Sequence, residues 1–319
     1  MRRILLADPA ISTFNLGDEI ISQACRAELA AAFQDDFVVR VSTRLPLNFY
    51  MGRRFCDFDF KIVMGSNLLN PNPTYGYRKQ WATSFVSRKR WGPAILMGVG
   101  WSHYSDKVAL GQRFLWKQIL HPELLHSVRD QYTLKMLNRL GYQNVLFTAC
   151  PTTWALTPEH CSGIRRKKSD AVVFTLTDYR QDAERDRKLI ALLQQSYSSL
   201  YFWPQGIRDL KYYQSLVSGS DKIQVLSPSL EAFTHLLQSP QAPDYVGNRL
   251  HGGIHALRQG ARTLIIALDN RSLELCRDVN IPYLPTEKLE DLSDVVRGEI
   301  VTGIKLPYRN IVMWKKQFS

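Results

Sequence analysis

The sequence predicts an α/β protein made of two doubly wound, Rossmann-like domains that face a cleft, and three observations support this fold class. Short apolar runs alternate with amphipathic segments of helical period along most of the 319 residues. The runs are closed by glycines, turns or polar loops, which is typical of parallel strands joined by helices on both faces of a sheet. The alternation pauses once, near residues 151–170, and then begins again.

The first half of the chain opens with a strand, a loop and a helix. Arg3–Ala7 contains three consecutive large apolar residues and predicts a buried strand, residues 9–17 predict a loop, and Glu19–Phe33 has the apolar period of a helix. A later helix runs to Leu140 and is closed by Gly141, a residue suited to the position after a helix end. Further strands are predicted at Val38–Val41, Lys61–Met64, Ala94–Gly98, Leu124–Val128 and Val145–Thr148.

The second half repeats the alternation, and we place the domain boundary in the pause before it. The predicted domains are residues 1–157 and 170–319, the second with a C-terminal tail from about residue 290. Its strands are predicted at Ala171–Leu176, Leu200–Trp203, Tyr245–Val246 and Thr263–Leu268, and its helices at Ala183–Ser198, Asp209–Gly219, Ser229–Gln238 and Gly253–Gln259. In such sheets ligands bind beyond the carboxyl ends of the strands, where helix N-termini expose backbone N–H groups.

The composition excludes several classes of protein and favours anionic partners. With 45% hydrophobic and 22% charged residues the chain can bury a large core, so disordered and fibrous classes are excluded. Lys plus Arg number 41 against 29 Asp plus Glu, and this surplus of +12 favours phosphates or an anionic membrane surface. No nucleic-acid recognition motif accompanies the charge, so we expect no nucleic-acid partner.

The sequence favours a cytoplasmic protein, soluble or peripheral to a membrane. The N-terminal apolar run stops at Asp8 and Pro9, too early for a signal peptide. No run approaches the roughly 18 apolar residues needed to span a bilayer. The five cysteines are odd in number, widely spaced and lack a C-x-x-C pair, which argues against a disulfide framework and against a cysteine zinc site.

The segment from Asp244 to Asp269 carries the strongest chemical signal. A short strand is predicted to deliver Arg249 and His251 in one alternate-residue register, and Gly252-Gly253 would let the backbone approach a ligand as the next helix begins. A guanidinium binds phosphate or carboxylate, a helix N-terminus adds partial positive charge, and an imidazole exchanges protons near neutral pH. The pattern predicts an anion site; a turn with a surface arginine and a core histidine is the structural alternative.

Several segments resemble the polysaccharide pyruvyl transferase family. Arg249-Leu250-His251-Gly252, followed by Ala256–Gly260 and the apolar run that ends at Leu268-Asp269, is similar to that family's C-terminal hallmark. Asn15-Leu16-Gly17-Asp18 resembles its N-terminal loop motif, and Ser127-Val128-Arg129-Asp130 resembles part of its mid-chain pattern. The likeness therefore extends over nearly the whole chain.

The same mid-chain pattern includes the Cys150-Pro151 turn, where an acidic residue is common in place of Cys150 in related sequences; this departure weakens a catalytic role for the turn. The resemblance implies a GT-B-like fold and transfer of a pyruvyl group from phosphoenolpyruvate to sugar hydroxyls as a cyclic ketal. It also implies an acceptor from polysaccharide or cell-envelope synthesis, often lipid-linked, which gives the basic surplus a purpose at an anionic bilayer face. Phosphoenolpyruvate is then a substrate, and no cofactor is expected.

The resemblance also suggests roles for individual residues. Arg249 and His251 match the family's motif, so we expect Arg249 to bind the donor and His251 to supply a proton, with Gly252 beside them in the substrate site. Asn15 and Asp18 lie on the loop after the first strand, where Asn15 would hydrogen-bond a sugar hydroxyl and Asp18 would orient or deprotonate it. Capping of the following helix is the alternative for both residues.

Two polar residues follow strands of the second domain. Arg180 is expected to provide a second phosphate contact and Gln205 a sugar or phosphate contact; a solvated loop arginine and a plain turn are the alternatives. His255 lies one helical turn after His251, but no carboxylate or cysteine stands at ligand spacing, so we assign no metal.

Two other functions are compatible with the same fold. A glycosyltransferase that uses a nucleotide sugar would need base and ribose contacts, typically from an acidic residue late in the second domain, and Glu274 occupies such a position. A non-catalytic glycan- or anion-binding protein would bind its ligand without turnover.

Overall fold

The computed structural model describes residues 1–47, 57–72, 80–217 and 222–319. Its strands are β1 (Arg3–Asp8), β2 (Phe37–Ser42), β3 (Phe60–Met64), β4 (Ile95–Met97), β5 (His126–Val128), β6 (Val145–Phe147), β7 (Ala171–Thr175), β8 (Ser199–Phe202), β9 (Ile223–Val225), β10 (Asp244–Gly247), β11 (Thr263–Ala267) and β12 (Tyr283–Pro285). All strand pairs within the sheets are parallel.

Helices connect these strands. They are α1 (Leu16–Leu29), α2 (Arg88–Trp91), α3 (Leu110–Ile119), α4 (Gln131–Arg139), α5 (Pro158–Ser162), α6 (Ala183–Ser196), α7 (Asp209–Gln214), α8 (Leu230–Leu237), α9 (Leu250–Arg258), α10 (Asn270–Val279), α11 (Leu292–Arg297) and α12 (Tyr308–Lys316). Short 3₁₀ turns lie at Pro151–Thr153, Asp178–Arg180 and Thr286–Asp291. The predicted end of the α7 segment at Gly219 falls outside the described residues.

Residue contacts divide the chain into two compact units. The first comprises Met1–Thr13, Ile21–Pro151 and Leu306–Ser319, and the second comprises Phe14–Ile20 and Thr152–Lys305. The division at residue 151 lies in the pause between the two alternating patterns. The C-terminal segment, which the sequence analysis assigned to the second domain, groups with the first unit because α12 packs on β5 and β6 and buries its apolar side there.

The first unit contains a parallel sheet of order β2-β1-β3-β4. Parallel bridges at Ala94–Leu120 and Val99–Val128 connect β4 to the β5 segment, and β5 pairs with β6. Its core includes Trp101 and Trp116, whose rings meet edge to face at 5.3 Å. The strands predicted from apolar runs in this half are confirmed, with boundaries shifted by a few residues.

The second unit contains a parallel sheet of order β12-β11-β10-β7-β8-β9. The chain order reverses between the central neighbours β7 and β10, and this reversal is the topological switch point at which doubly wound sheets bind ligands. The outer strands β9 and β12 were not predicted: each is only three residues long, β9 has two exposed residues with Gln224 at its centre, and β12 ends at a proline.

Two further features bear on the sequence predictions. Cys25, Cys150, Cys161 and Cys276 are buried and form no disulfide with one another, and Cys56 lies outside the described residues. Burial raises the pKa of the Cys25 thiol well above its ordinary value, with nearby Cys150 adding to the effect. Within the described part of the chain, no helix is both long and apolar enough to cross a membrane.

Asp244, at the start of β10, is a buried carboxylate that holds the base of the second sheet together. Its Oδ2 accepts a 2.6 Å hydrogen bond from Arg262 and a 3.0 Å bond from the Tyr197 hydroxyl, and its Oδ1 accepts a 2.9 Å bond from Arg165. Arg262 is 1% exposed and also donates to the carbonyls of Val296 and Gly298. Arg165, one of the cations in the segment between the two alternating patterns, therefore has a structural partner.

Asp244→Asn should lower the free energy of unfolding by about 3–5 kcal/mol, because it leaves the Arg262 charge buried without a counter-charge. Asp106→Asn is the matched control: its pair with Arg139 is exposed at the surface and should contribute about 1 kcal/mol or less. Urea unfolding of both variants measures the difference. Equal, small effects for the two substitutions would contradict the structural role of Asp244.

Candidate functional site

The candidate site lies at the carboxyl ends of β7, β8 and β10 in the second unit. The segments that follow these strands carry most of the residues singled out from the sequence, and Phe14–Ile20, the N-terminal segment that groups with this unit, supplies the others. Because β7 and β10 are the neighbours at the switch point, their loops diverge and leave polar side chains at this edge.

Arg249 and His251 do not lie on a strand. β10 ends at Gly247, Arg249 is the N-cap residue of α9 with φ −92° and ψ 96°, and His251 is in the first turn of that helix. The predicted alternate-residue strand register is therefore wrong, because the chain turns into the helix within two residues of the strand end. Both side chains are buried, each 4% exposed, so the alternative of a surface arginine is also wrong.

The guanidinium of Arg249 is matched by carboxylates. Its Nε donates to Asp209 Oδ2 at 3.1 Å, and its Nη2 donates to Asp209 Oδ1 and, at 3.2 Å, to Asp178 Oδ1. Nε also donates to the carbonyl of Leu176 at 3.2 Å. Among the residues that the structure describes, Nη1 of Arg249 has no hydrogen-bond partner, so its N–H groups are not used by these contacts.

Asp209 is fully buried and accepts several hydrogen bonds besides those of Arg249. The backbone N–H of Gly206 donates to Oδ2 at 2.7 Å, and that of Asp178 donates to Oδ1 at 3.1 Å. Burial raises the pKa of the Asp209 carboxyl above its ordinary value, and the Arg249 guanidinium acts in the opposite direction. The carboxylate thus links the loops after β7 and β8 to the start of α9.

A second cation, Arg271, lies in the first turn of α10 after β11. Its Nη2 donates to the Tyr179 hydroxyl at 2.6 Å and to Asp269 at 3.3 Å, and the Tyr179 ring lies 5.0 Å from the Arg249 guanidinium. Burial opposes the charged form of Arg271, but Tyr179, Asp269 and Asp18 outweigh it and raise the pKa of the guanidinium. The field of Asp18, in the first turn of α1 and 4% exposed, therefore reaches this cluster.

Asn15 and Gln205, 190 residues apart in sequence, are brought together. Gln205 Nε2 donates to Asn15 Oδ1 at 3.0 Å, and the backbones pair as an antiparallel bridge between Asn15 and Gly206. Asn15 Oδ1 also accepts the backbone N–H of Gly17 at 3.1 Å, so the capping alternative is observed for Asn15. This cap explains why α1 starts at Leu16, earlier than predicted.

Gly252 is required by packing within the protein. A Cβ atom there would lie 2.9 Å from Gln205 Oε1, 3.1 Å from the Tyr245 hydroxyl and 3.3 Å from the Trp203 ring. The space beside this glycine is therefore filled by side chains, and the predicted approach of a ligand to its backbone is not needed to explain the residue. Arg180, by contrast, is exposed and donates to the carbonyl of Leu268 at 3.2 Å.

Four buried polar atoms at this edge have no hydrogen-bond partner within the part of the chain that the structure describes. Each follows a different strand of the second sheet, and together they provide donors and acceptors. They are Thr177 Oγ1 after β7, Gln205 Oε1 after β8, Asn248 Oδ1 after β10 and Arg271 Nε after β11. Because most buried polar groups in folded proteins are paired, these four atoms keep donors and acceptors that a polar ligand at this edge could use.

The side chain of His255, one turn after His251, is held by contacts within the protein. Its Nε2 lies 2.8 Å from the Thr234 hydroxyl, and its ring packs near Phe233. Burial lowers the pKa of His255 to about 4, with nearby Arg258 adding to the effect. Across the described residues no group of three His, Cys, Asp or Glu side chains is placed to hold a metal ion.

Four residues of this edge were not predicted from the sequence: Asp178, Asp209, Tyr179 and Arg271. Asp178, Tyr179 and Asp209 follow β7 and β8, and Arg271 follows β11, so their position after a predicted strand was an available signal. Their pairing with Arg249 and Asp269 was not visible, because it depends on which strands are neighbours. Glu274, the acidic residue of the nucleotide-sugar alternative, lies on α10 and is 4.0 Å from Arg277.

Comparisons with known proteins agree with this architecture. A family model for polysaccharide pyruvyl transferase matches residues 15–270. Among solved structures, Methanocaldococcus jannaschii UDP-GlcNAc 2-epimerase in complex with UDP-GlcNAc and UDP has a TM-score of 0.58 at 13% identity, over 99% of this chain and 97% of that chain. S. aureus MnaA with UDP has a TM-score of 0.50 at 12% identity, over 85% of this chain and 80% of that chain.

At this identity the structural likeness concerns the fold alone, and it confirms the predicted α/β, GT-B-like class with Rossmann-like units. No curated protein sequence matches the chain significantly.

Arg249→Met should lower the free energy of unfolding by about 3–5 kcal/mol, because Asp209 then remains buried and charged without its partner. Adding Asp209→Asn removes that charge, so the double variant should recover part of the loss, with a coupling energy of about 1–3 kcal/mol. Urea unfolding of the four proteins completes the cycle. Single effects that add within about 0.5 kcal/mol would show that the pair is not coupled.

Acid should destabilise the protein partly through His255. The imidazole titrates near about 6.5 in an unfolded chain but at about 4 when folded. Between these values the unfolded state binds more protons, so this contribution is intact above pH 6.5 and is lost as the pH falls toward 4.

His255→Gln can keep the bond to Thr234 without the titration, and it should reduce the pH slope of the unfolding free energy by up to about 1.4 kcal/mol per unit in this range. Urea unfolding at several pH values measures the slope. A slope identical to that of the parent would contradict the assignment.

Proposed function

The chain belongs to the polysaccharide pyruvyl transferase family, and we propose that it transfers a pyruvyl group from phosphoenolpyruvate to a saccharide of a polysaccharide or cell-envelope precursor, forming a cyclic ketal. The observation that carries the proposal is the set of four buried polar atoms that follow β7, β8, β10 and β11 and have no hydrogen-bond partner among the described residues, together with Arg249 and His251 at the start of α9. Family membership supports the transferase class, and the donor and its site are our proposal.

Phosphoenolpyruvate has a phosphate and a carboxylate, and this edge of the second sheet offers complementary groups. The side chain of Arg249, the N-cap residue of α9, makes no cap hydrogen bond, and the start of this helix presents the positive end of the helix dipole. Arg249 lies at the same helix start, and Arg271 adds a second guanidinium. We propose that Arg249 binds the donor through Nη1 and that Gly252, at the start of α9, lies beside the donor. Arg180 would provide a second contact to the phosphate.

The reaction needs one proton delivered and two removed. A proton reaches the methylene carbon of phosphoenolpyruvate as one sugar hydroxyl attacks the adjacent carbon, so the double bond becomes a methyl group and the attacking oxygen loses its proton. The C–O bond to phosphate then breaks, phosphate leaves with the bonding electrons, and the second hydroxyl adds to the same carbon and loses its proton. We assign the first proton to His251, the titratable group in the first turn of α9.

The acceptor is assigned to the neighbouring polar residues. Asp18 would orient or deprotonate a sugar hydroxyl, and the amides of Asn15 and Gln205, which already hydrogen-bond each other, would hold the sugar. The unpartnered Gln205 Oε1 is an acceptor suited to a sugar hydroxyl.

We also propose where the enzyme acts and what it binds. We propose a cytoplasmic enzyme that needs no cofactor beyond its donor substrate and binds no nucleic acid. Its acceptor is lipid-linked, and the basic surplus of +12 brings it to the anionic inner face of the membrane as a peripheral protein.

His251→Gln should lower turnover by roughly 10²- to 10⁴-fold, because the amide cannot relay a proton. Phosphoenolpyruvate binding, measured by calorimetry, should stay within about tenfold of the parent if the role is mainly chemical. His255→Gln, one turn later on the same helix, is the matched control and should keep parental turnover. Phosphate release with a panel of saccharide acceptors reports turnover.

Arg249→Lys gives the complementary result in the same assay. Lysine keeps the charge but lacks the fork, so apparent affinity for phosphoenolpyruvate should fall more than turnover at saturation. Near-parental turnover of the His251 variant would remove that residue from the proton step. Loss of binding in the His251 variant with unchanged saturating turnover would reverse the two roles.

A further inference from the structure

An exposed apolar patch lies on the first unit, at the packed helices α2 and α3. Val86 is 81% exposed, Leu110 80%, Phe114 55% and Phe85 45%. The Phe85 and Phe114 rings meet at 6.0 Å, and Phe85 lies over Gly111, where an added Cβ would be 3.8 Å from the ring. The patch is thus a continuous surface held by its own ring contact, not a set of scattered side chains.

The patch is bordered by cations that form no ion pair within the part of the chain that the structure describes. Between residues 80 and 119 the sequence has six Lys and Arg and one carboxylate, Asp106, which pairs with Arg139. Arg88, Lys89, Arg113 and Lys117 form no ion pair with any residue that the structure describes. Lys89, Arg113 and Lys117 are exposed.

We propose that this basic-aromatic face, comprising Phe85, Val86, Leu110 and Phe114 with Arg88, Lys89, Arg113 and Lys117, binds the surface of an anionic lipid bilayer. Two terms act together on such a surface: apolar side chains enter the headgroup region, and cations are attracted to anionic lipids. Charge complementarity selects the occupant, since a second copy of this chain would bring the same uncompensated positive charge to the interface.

The inference rests on the peripheral membrane contact proposed above and locates it, but it does not depend on the identity of the donor. All residues of this face belong to the first unit. Phe85 and Val86 lie just before α2, and the others lie on α2 and α3. Both binding terms therefore act over the same patch, as adsorption to a bilayer surface requires.

Vesicle co-sedimentation of the full chain tests the proposal, with phosphatidylcholine vesicles that contain or lack phosphatidylglycerol. Lys89→Glu/Arg113→Glu/Lys117→Glu should weaken binding to the anionic vesicles by on the order of 100-fold, at about fivefold for each lost cation. Phe85→Ser/Phe114→Ser should weaken it by at least about tenfold, because two exposed rings no longer enter the interface. Raising the salt from 0.1 M to 1 M should release the parent, as the Debye length falls from ~10 Å to ~3 Å.

The matched control is Arg187→Glu/Lys211→Glu/Lys288→Glu, which changes the net charge equally at exposed positions of the second unit. It should bind nearly as well as the parent. Loss of binding in this control equal to that in the patch variants would overturn the assignment to the face, and so would equal binding to vesicles without phosphatidylglycerol. If the parent forms a dimer and the patch variants are monomeric, the face binds a second copy of this chain and not a bilayer.

Phosphoenolpyruvate calorimetry on the same variants separates the two proposals. Parental donor affinity in the patch variants, which still fold by circular dichroism, supports a surface role that is independent of the site. Absence of donor binding in every protein, with the vesicle pattern intact, would contradict the proposed donor and leave the face standing.

Discussion

The buried ion pair between Arg249 and Asp209 is the interaction on which the polar edge of the second sheet depends. Arg249 begins α9 after β10, Asp209 begins α7 after β8, and both contact the segment after β7 through Leu176 and Asp178. Three loops that diverge from a parallel sheet are thereby held in one arrangement. A buried pair of this kind adds little net stability, but losing one partner is costly, so its main effect is to fix geometry.

The fixed positions of these loops account for several other features of the site. With the loops fixed, Gln205 reaches Asn15 across 190 residues of sequence, and its Oε1 lies beside Gly252 with no hydrogen-bond partner among the described residues. The Arg249 side chain does not cap α9, and the positive end of this helix dipole suits an anionic group. The acidic partners of Arg249 also limit its role: most of its charge is already neutralised within the protein, so a donor would meet one nitrogen of the guanidinium and the helix dipole, not an isolated cation.

Much of the fold could be predicted from the sequence, because buried parallel strands leave apolar runs such as Ala171–Leu176 that are bounded by turns. The edge strands β9 and β12 are each only three residues long, too short to stand out from their surroundings as strands. The packing of α12 in the first unit could not be predicted either, because an amphipathic pattern shows which face of a helix is buried but not which element covers that face.

The candidate site, like the fold, could be predicted from the sequence only in part. Arg249 and His251 stood out because they match a family motif, but the sequence could not show that the chain enters α9 at once or that Asp209 neutralises Arg249. Those facts follow from strand order, which places residues far apart in sequence at one edge. Asn15 was predicted with two competing roles, and the structure shows that a single oxygen caps α1 and accepts from Gln205.

We propose that phosphoenolpyruvate binds at the carboxyl edge of the second sheet. Hydrogen–deuterium exchange with and without saturating phosphoenolpyruvate, with a nucleotide sugar in parallel, is the decisive test. Phosphoenolpyruvate should slow exchange of the amides in residues 176–180, 203–209 and 248–254, and the nucleotide sugar should not. Protection of these segments by the nucleotide sugar alone, or no protection by phosphoenolpyruvate, would contradict it.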